Sequence, residues 1–174
     1  MRNENKKLKS LRYFTWLPAM FVAAAIFYFS AQPADTSMEM SDGVTTLLLT
    51  FAERMGLLEL SPELVTELCE KLATPVRKCA HITEYLILHG TVLFGLYHWS
   101  DRMRGMRWIR WAFGMTVFYA ATDEIHQLFV PGRAGMVTDV LIDSIGMAVV
   151  TWFLWKQIRK RERLSPAHGS GFQP

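Results

Sequence analysis

At 174 residues the chain is long enough for one domain, and 51% of it is hydrophobic against 20% charged. A net charge of +3 would suit a nucleic-acid binder in a soluble protein. Here the basic residues flank long apolar runs, as membrane orientation requires, so nucleic acid is set aside as a partner.

Residues 11–30 form the first apolar segment, preceded by Arg2, Lys6, Lys7 and Lys9. Its length meets the ~17–25 residues that a helix needs to cross the hydrocarbon core. A basic start and an apolar core also resemble a signal peptide. Phe29 is poorly suited to the small-residue cleavage position, so the segment is read as a retained span.

Residues 31–79 are too polar to insert and carry eight acidic residues against four basic ones. Val44, Leu47, Leu48, Phe51, Met55 and Leu58 recur at helical spacing. Ser61 and Pro62 fit an N-cap and first helical position, with Leu64, Val65, Leu68 and Leu72 forming one stripe behind them. Two short amphipathic helices are expected, covering the outer mouth of the bundle or lying in the membrane interface, with packing through their apolar stripes as the bland reading. Cys69 and Cys79 are the two cysteines; this loop leaves open whether they are bridged or free.

The second span is expected at 80–98, with Thr74 as its N-cap and Pro75 at its first helical position. The third is expected at about 108–130 and the fourth at 137–155. Alternating barrel patterning is absent, so the fold class is all-α: an integral membrane bundle of four transmembrane helices, with short amphipathic helices in the first external loop. Pro131-Gly132 predicts a tight turn and an antiparallel hairpin of spans three and four.

Arg102, Arg104, Arg107 and Arg110 follow span two, and Lys156, Arg159, Lys160, Arg161 and Arg163 follow span four. With the N-terminal cluster they place both termini in the cytoplasm: a short N-terminus (1–10), a membrane domain (11–155) and a basic tail (156–174). All six Trp then lie near the inner ends, as in an aromatic belt.

This orientation brings three separated sets of ionisable groups to one depth on the outer side. Span two supplies Arg77, Lys78, His81, Glu84 and Tyr85; span three supplies Asp123, Glu124, His126 and Gln127; span four supplies Asp139 and Asp143, with Arg133 in the turn. His81 and Glu84 are i,i+3, Asp139 and Asp143 are i,i+4, and Asp123 precedes His126 and Gln127 by three and four. Thr116 and Tyr119 continue the span-three face, and Gly146 is expected to let another helix approach closely. Ionisable groups at membrane depth are expensive and mark a site by default. The bland reading is a polar lock that fixes helix register. His89 and His98 read as satisfied membrane or interface residues.

Three chemistries fit the cluster. Arg77, Lys78 and Arg133 could hold an anionic headgroup. Glu84, Asp123 and Glu124 could act as acid or base, with His81 and His126 as proton partners. Gln127, Tyr85, Asp139 and Asp143 would complete a binding surface. "HITE" and "DEIH" only loosely match carboxylate–His metal spacing, so no metal is assigned and the cofactor is unknown.

The stretch "ATDEIHQLFVPGRAGMVTDVLIDSIG" (121–146), with "FSAQP" (29–33) and "RKCAHITEYLIL" (77–88), resembles the signature of the VanZ-like family of bacterial membrane proteins. The resemblance covers about residues 27–155. Its matching positions are Ser30, Gln32, Arg77, His81, Glu84, Tyr85, Asp123, Glu124, His126, Gln127, Gly132, Arg133, Asp139 and Gly146; Asp143 departs from a common Asn. The resemblance implies a bacterial cytoplasmic membrane location and a part in resistance to teicoplanin-type glycopeptides at the cell envelope. It brings no established catalytic activity. The expected partners are membrane lipids and an anionic, lipid-linked envelope molecule that the polar site binds or modifies. A lipid or proton-coupled transporter and a non-catalytic membrane interaction protein are the alternatives.

Overall fold

The computed structural model describes residues 12–99 and 106–164. The expectations for residues 1–10, for Arg102 and Arg104, and for the tail beyond Leu164 lie outside these residues. The described chain forms five helices: α1 (Leu17–Ser30), α2 (Ala34–Arg54), α3 (Pro62–Trp99), α4 (Arg107–Gln127) and α5 (Val137–Leu164).

α3 packs against every other helix and is the axis of the bundle. Tyr85, Leu88, His89, Val92, Leu93 and Leu96 make its buried stripe, at the three- and four-residue spacing that keeps side chains on one face. α4 meets it with Ile109, Ala112, Thr116, Ala120, Asp123 and Gln127. Its middle positions are small, which lets helix backbones approach where no hydrophobic force drives association.

The bundle is apolar on its outside. Phe21, Phe118, Phe129, Trp152 and Phe153 are all exposed. Exposed apolar area on this scale marks a membrane surface. Among the described residues, three helices are long and apolar enough to cross a membrane: Arg12–Ser30, Pro62–Trp99 and Val137–Arg161. α4 is not among them. Arg107, Arg110, Asp123 and Glu124 lower its apolar content, although both carboxylates are buried inward. Its outward face is Trp111, Met115, Phe118 and Ile125.

Two expectations for the 31–79 segment are overturned. The second amphipathic helix and span two are one 38-residue helix, α3, with Pro75 inside it. Ser61 does cap it, accepting the Leu64 N–H at 3.2 Å. Thr74 and Pro75 therefore start nothing; proline in a helix interior removes one backbone bond, a loss that membrane-type helices tolerate when neighbours support them. At 1.5 Å per residue α3 is about 57 Å long, well beyond a hydrocarbon core of about 30 Å.

The second correction concerns α2, whose packing face is inverted. Its buried residues are Ser37, Ser41, Thr45 and Leu49. Val44, Leu47, Leu48, Phe51 and Met55 are exposed. The hydroxyls satisfy themselves within the helix: Ser41 donates to the Ser37 carbonyl at 3.0 Å and Thr45 to the Ser41 carbonyl at 2.9 Å. So α2 lays a smooth, small-residue face on α3 and turns its apolar stripe away, the arrangement of a helix in lipid rather than in water.

Both cysteines are free. They lie ten residues apart on α3, a rise of about 15 Å, and no disulfide spans that distance.

The α4–α5 hairpin forms as expected. Arg133 N–H donates to the Val130 carbonyl at 3.1 Å, and Gly132 takes φ +73°. Pro at the second and Gly at the third position, with positive φ, is the pattern of a type II turn. The tryptophans sit at the opposite end of the bundle. There Trp99 Nε1 donates to the Arg12 carbonyl at 3.2 Å, and Lys156 and Arg159 lie over the rings of Trp152 and Trp155.

Candidate functional site

Where α4 ends and α5 begins, the turn folds back beside the middle of α3. Between them is a cavity of about 340 Å³. Arg77, Lys78 and His81 face it from α3, Glu124 and Gln127 from α4, Arg133 from the turn, and Asp139 and Asp143 from α5. Three separated stretches of sequence thus meet in one place, as their helical spacing predicted.

The charges in this cavity are unequally satisfied. Lys78 Nζ pairs with Asp139 Oδ1 at 3.0 Å. Glu124 Oε2 accepts the Met136 N–H at 2.9 Å, which ties the end of α4 to the approach of α5. Arg133 Nε donates to the Gln32 carbonyl at 2.9 Å and Nη2 to the Phe29 carbonyl at 3.2 Å. Those carbonyls orient the guanidinium without neutralising it. Burial first, and then the nearby Arg77 charge, push Arg133 down from its ordinary value, though a guanidinium keeps its proton in proteins. Arg77 is half-buried, faces the same space, and has no ion pair or hydrogen-bond partner among the described residues. The Asp123, Glu124 and Glu84 charges partly offset its repulsion of Arg133, and an anion between the two guanidiniums would offset it for both.

The structure separates some expected site residues from this cavity. Asp123 lies behind it, 4% exposed. Its Oδ2 accepts Tyr85 Oη at 2.9 Å and Gln127 Nε2 at 3.1 Å, and its Oδ1 has no partner among the described residues. Tyr85 is fully buried, so this pair braces α3 against α4. Glu84 faces a neighbouring groove instead of the cavity, 3.9 Å from His81 Nδ1.

His126 points elsewhere. Its ring stacks on Phe27 of α1, with centroids 4.5 Å apart, and it faces neither space. Asp123 and Gln127 share a face, but His126 is about 100° from Gln127 around the helix, enough to give it a different neighbour. Of the five residues expected to handle protons, Glu124 and His81 face the cavity; Asp123, Glu84 and His126 do not.

Glycines fix the walls. A Cβ at Gly135 would lie 2.1 Å from the Glu124 carbonyl oxygen, and one at Gly132 would lie 2.9 Å from Ala34 Cβ. At Gly146 a Cβ would meet Ile82 Cγ2 at 3.4 Å, an ordinary contact, so the expected close approach there does not require glycine.

Deeper in the bundle His89 is fully buried. It lies 3.3 Å from Thr116 Oγ1 through Nδ1 and 3.0 Å from Thr151 Oγ1 through Nε2. Thr116 already donates to the Ala112 carbonyl at 2.8 Å, so it accepts from Nδ1–H and Thr151 donates to Nε2. His89 is satisfied, as the sequence indicated, but in the core of the bundle. Tyr119 Oη similarly donates to the Ala23 carbonyl at 2.7 Å and ties α4 to α1.

The profile of the VanZ/LLP1 family matches residues 15–159. The chain belongs to the VanZ/LLP1 family. Comparison with curated proteins and with solved structures finds no match at the significance applied. Of the three segments that carried the family resemblance, 77–88 and 121–146 line this cavity, and 29–33 supplies the two carbonyls that hold Arg133. Gly135 and Met136 were not singled out from the sequence, and Thr74 was read only as a helix cap, not as part of the cavity wall. Gly135 had a signal in the glycine-bearing "PGRAG" run; the Met136 backbone had none, because its role follows from where the chain folds back.

Proposed function

We propose that the protein is a four-span bacterial cytoplasmic membrane protein whose cavity opens at the outer leaflet and binds the phosphate or carboxylate of an envelope molecule. The termini are cytoplasmic in this reading, and α4 is the fourth span. α4 turns both carboxylates inward and Trp111, Met115, Phe118 and Ile125 outward, which makes a charged helix compatible with lipid. Family membership supports a contribution to glycopeptide and lipoglycopeptide resistance through that site.

The observation that carries the binding reading is Arg77. A half-buried cation without a partner among the described residues, beside Arg133 on the same cavity, fits a charge-assisted contact to a planar or tetrahedral anion. Glu124 and His81 are placed to exchange a proton with a bound group. Asp123 is not, because it lies behind the cavity lining, with its Oδ2 held by Tyr85 and Gln127.

Teicoplanin susceptibility in a sensitive Gram-positive host tests this. Strains carry the wild type, Arg77→Gln, Glu124→Gln or His126→Phe, with membrane levels matched by blot. Wild type and His126→Phe are expected to protect, and the two cavity variants to lose protection. Equal protection by all four overturns the site.

A further inference from the structure

A second cavity, about 580 Å³, runs between α2 and α3. Met40, Val44 and Leu48 form its α2 wall, Val76 and Ala80 its α3 wall, and Phe29 its floor. It shares Arg77, His81 and Arg133 with the polar cavity. The polar space and the groove therefore adjoin along these three side chains, and both guanidiniums face each of them.

The α2 wall is the inverted stripe. An amphipathic helix normally buries its apolar residues on its own protein, yet α2 buries Ser37, Ser41 and Thr45 there. What remains is a trough against residues 75–84 of α3 that combines two cations with an apolar wall of Met40, Val44, Leu48, Val76 and Ala80. An anionic lipid combines the same two characters in one molecule. A soluble anion would leave the trough unused; a neutral lipid would leave Arg77 unpaired.

We propose that the α2–α3 groove holds the hydrocarbon chain of an anionic lipid while its headgroup sits between Arg77 and Arg133. This rests on the reading of the polar cavity as an anion site and specifies the ligand as an amphiphile. Glu84 also lines the groove, and its carboxylate lies 3.9 Å from His81 Nδ1. α2 acts as a rail that guides the chain out of the leaflet while the headgroup is held.

The test uses the full-length protein in phosphatidylcholine nanodiscs. These are doped with phosphatidic acid bearing a photoactivatable diazirine on its acyl chain, or with phosphatidylcholine bearing the same chain. Cross-linked peptides are mapped, and lipid retention is read by native mass spectrometry. The phosphatidic acid probe is expected to label segments 40–48 and 75–84, and the phosphatidylcholine probe only weakly. Arg77→Gln should lower phosphatidic acid retention about tenfold, the scale of one charge-assisted contact. Leu48→Trp, which fills the groove from an exposed position, should lower labelling of those segments severalfold. Leu47→Trp, on the same helix but outside the groove, should not.

Arg77-dependent retention with labelling elsewhere and a silent Leu48→Trp overturns the chain groove and leaves the anion site standing. Equal retention of both lipids with a silent Arg77→Gln overturns both. A two-chain mass with groove labelling between copies assigns the groove to a second protomer and overturns the proposal.

Discussion

Arg133 and Gln32 are 101 positions apart, and the Arg133 Nε donates to the Gln32 carbonyl at 2.9 Å. A second donor reaches the Phe29 carbonyl at 3.2 Å. The Phe29 carbonyl, near the end of α1, also accepts the Gln32 N–H at 3.2 Å, and the turn between α4 and α5 supplies a second donor to it. A single side chain thus ties the end of α1 and the residues just after it to the hairpin, and still presents positive charge to the cavity.

Lysine keeps the charge but not the fork. Arg133→Lys is therefore expected to destabilise the detergent-solubilised protein by about 1.5–3 kcal/mol, the range for hydrogen bonds to charged groups. A thermal or denaturant midpoint measures this. An unchanged midpoint would show that α1 needs no such tie.

Tyr85 and Asp123 make the second long-range tie. Removing the Tyr85 hydroxyl leaves a buried carboxylate with one fewer donor, which costs about 1–3 kcal/mol. Asp123→Asn perturbs the same bond from the other side. Because both variants remove one interaction, the double variant is expected to be less damaging than the sum of the singles. A denaturant double-mutant cycle reads the coupling. Strict additivity would mean that the 2.9 Å contact contributes nothing by itself.

The site was more legible in the sequence than the segment leading to it. Chain direction and helical spacing were enough to bring Arg77, Glu124, Arg133 and Asp143 together, because short antiparallel connections leave little freedom. Pro131-Gly132 announced the turn by chemistry that few other residues supply. α2 was misread for a physical reason: its apolar period was correct, but the side facing the protein depends on what surrounds the helix. In lipid, or against a lipid chain, small hydroxyl residues pack inward. Pro75 misled because a proline that starts one helix is also tolerated inside another whose neighbours support it. His126 was misplaced because residues three and four positions along from Asp123 straddle it, and each faces a different partner.

Topology offers a third prediction. Cys79 lines the groove and Cys69 is partly buried, so both are replaced by Ser. In that background a membrane-impermeant maleimide is expected to label Glu59→Cys, exposed between α2 and α3, in intact cells. Arg161→Cys in the same background should label only after permeabilisation. Labelling of both from one side would remove α4 as a span, since an odd number of crossings separates the two positions in the four-span reading.

Gly135 and Gly146 provide the sharpest contrast. A Cβ on Gly135 would sit 2.1 Å from a backbone oxygen of Glu124. A backbone atom cannot step aside as a side chain can, so Gly135→Ala must push the start of α5 away from the end of α4. That movement would break the Met136 bond to Glu124 and open the cavity. The expected loss exceeds the roughly 0.5–3 kcal/mol of an ordinary substitution, with loss of membrane accumulation and of teicoplanin protection. Gly146→Ala adds a methyl at ordinary contact distance from Ile82 in the interior of α5. It exchanges glycine for the best helix former, a gain of up to about 1 kcal/mol, and should leave protection intact. Expression level, thermal midpoint and susceptibility, measured together on the two variants, decide the matter. If Gly135→Ala behaves like Gly146→Ala, the contact between α4 and the approach to α5 does not hold the cavity in shape.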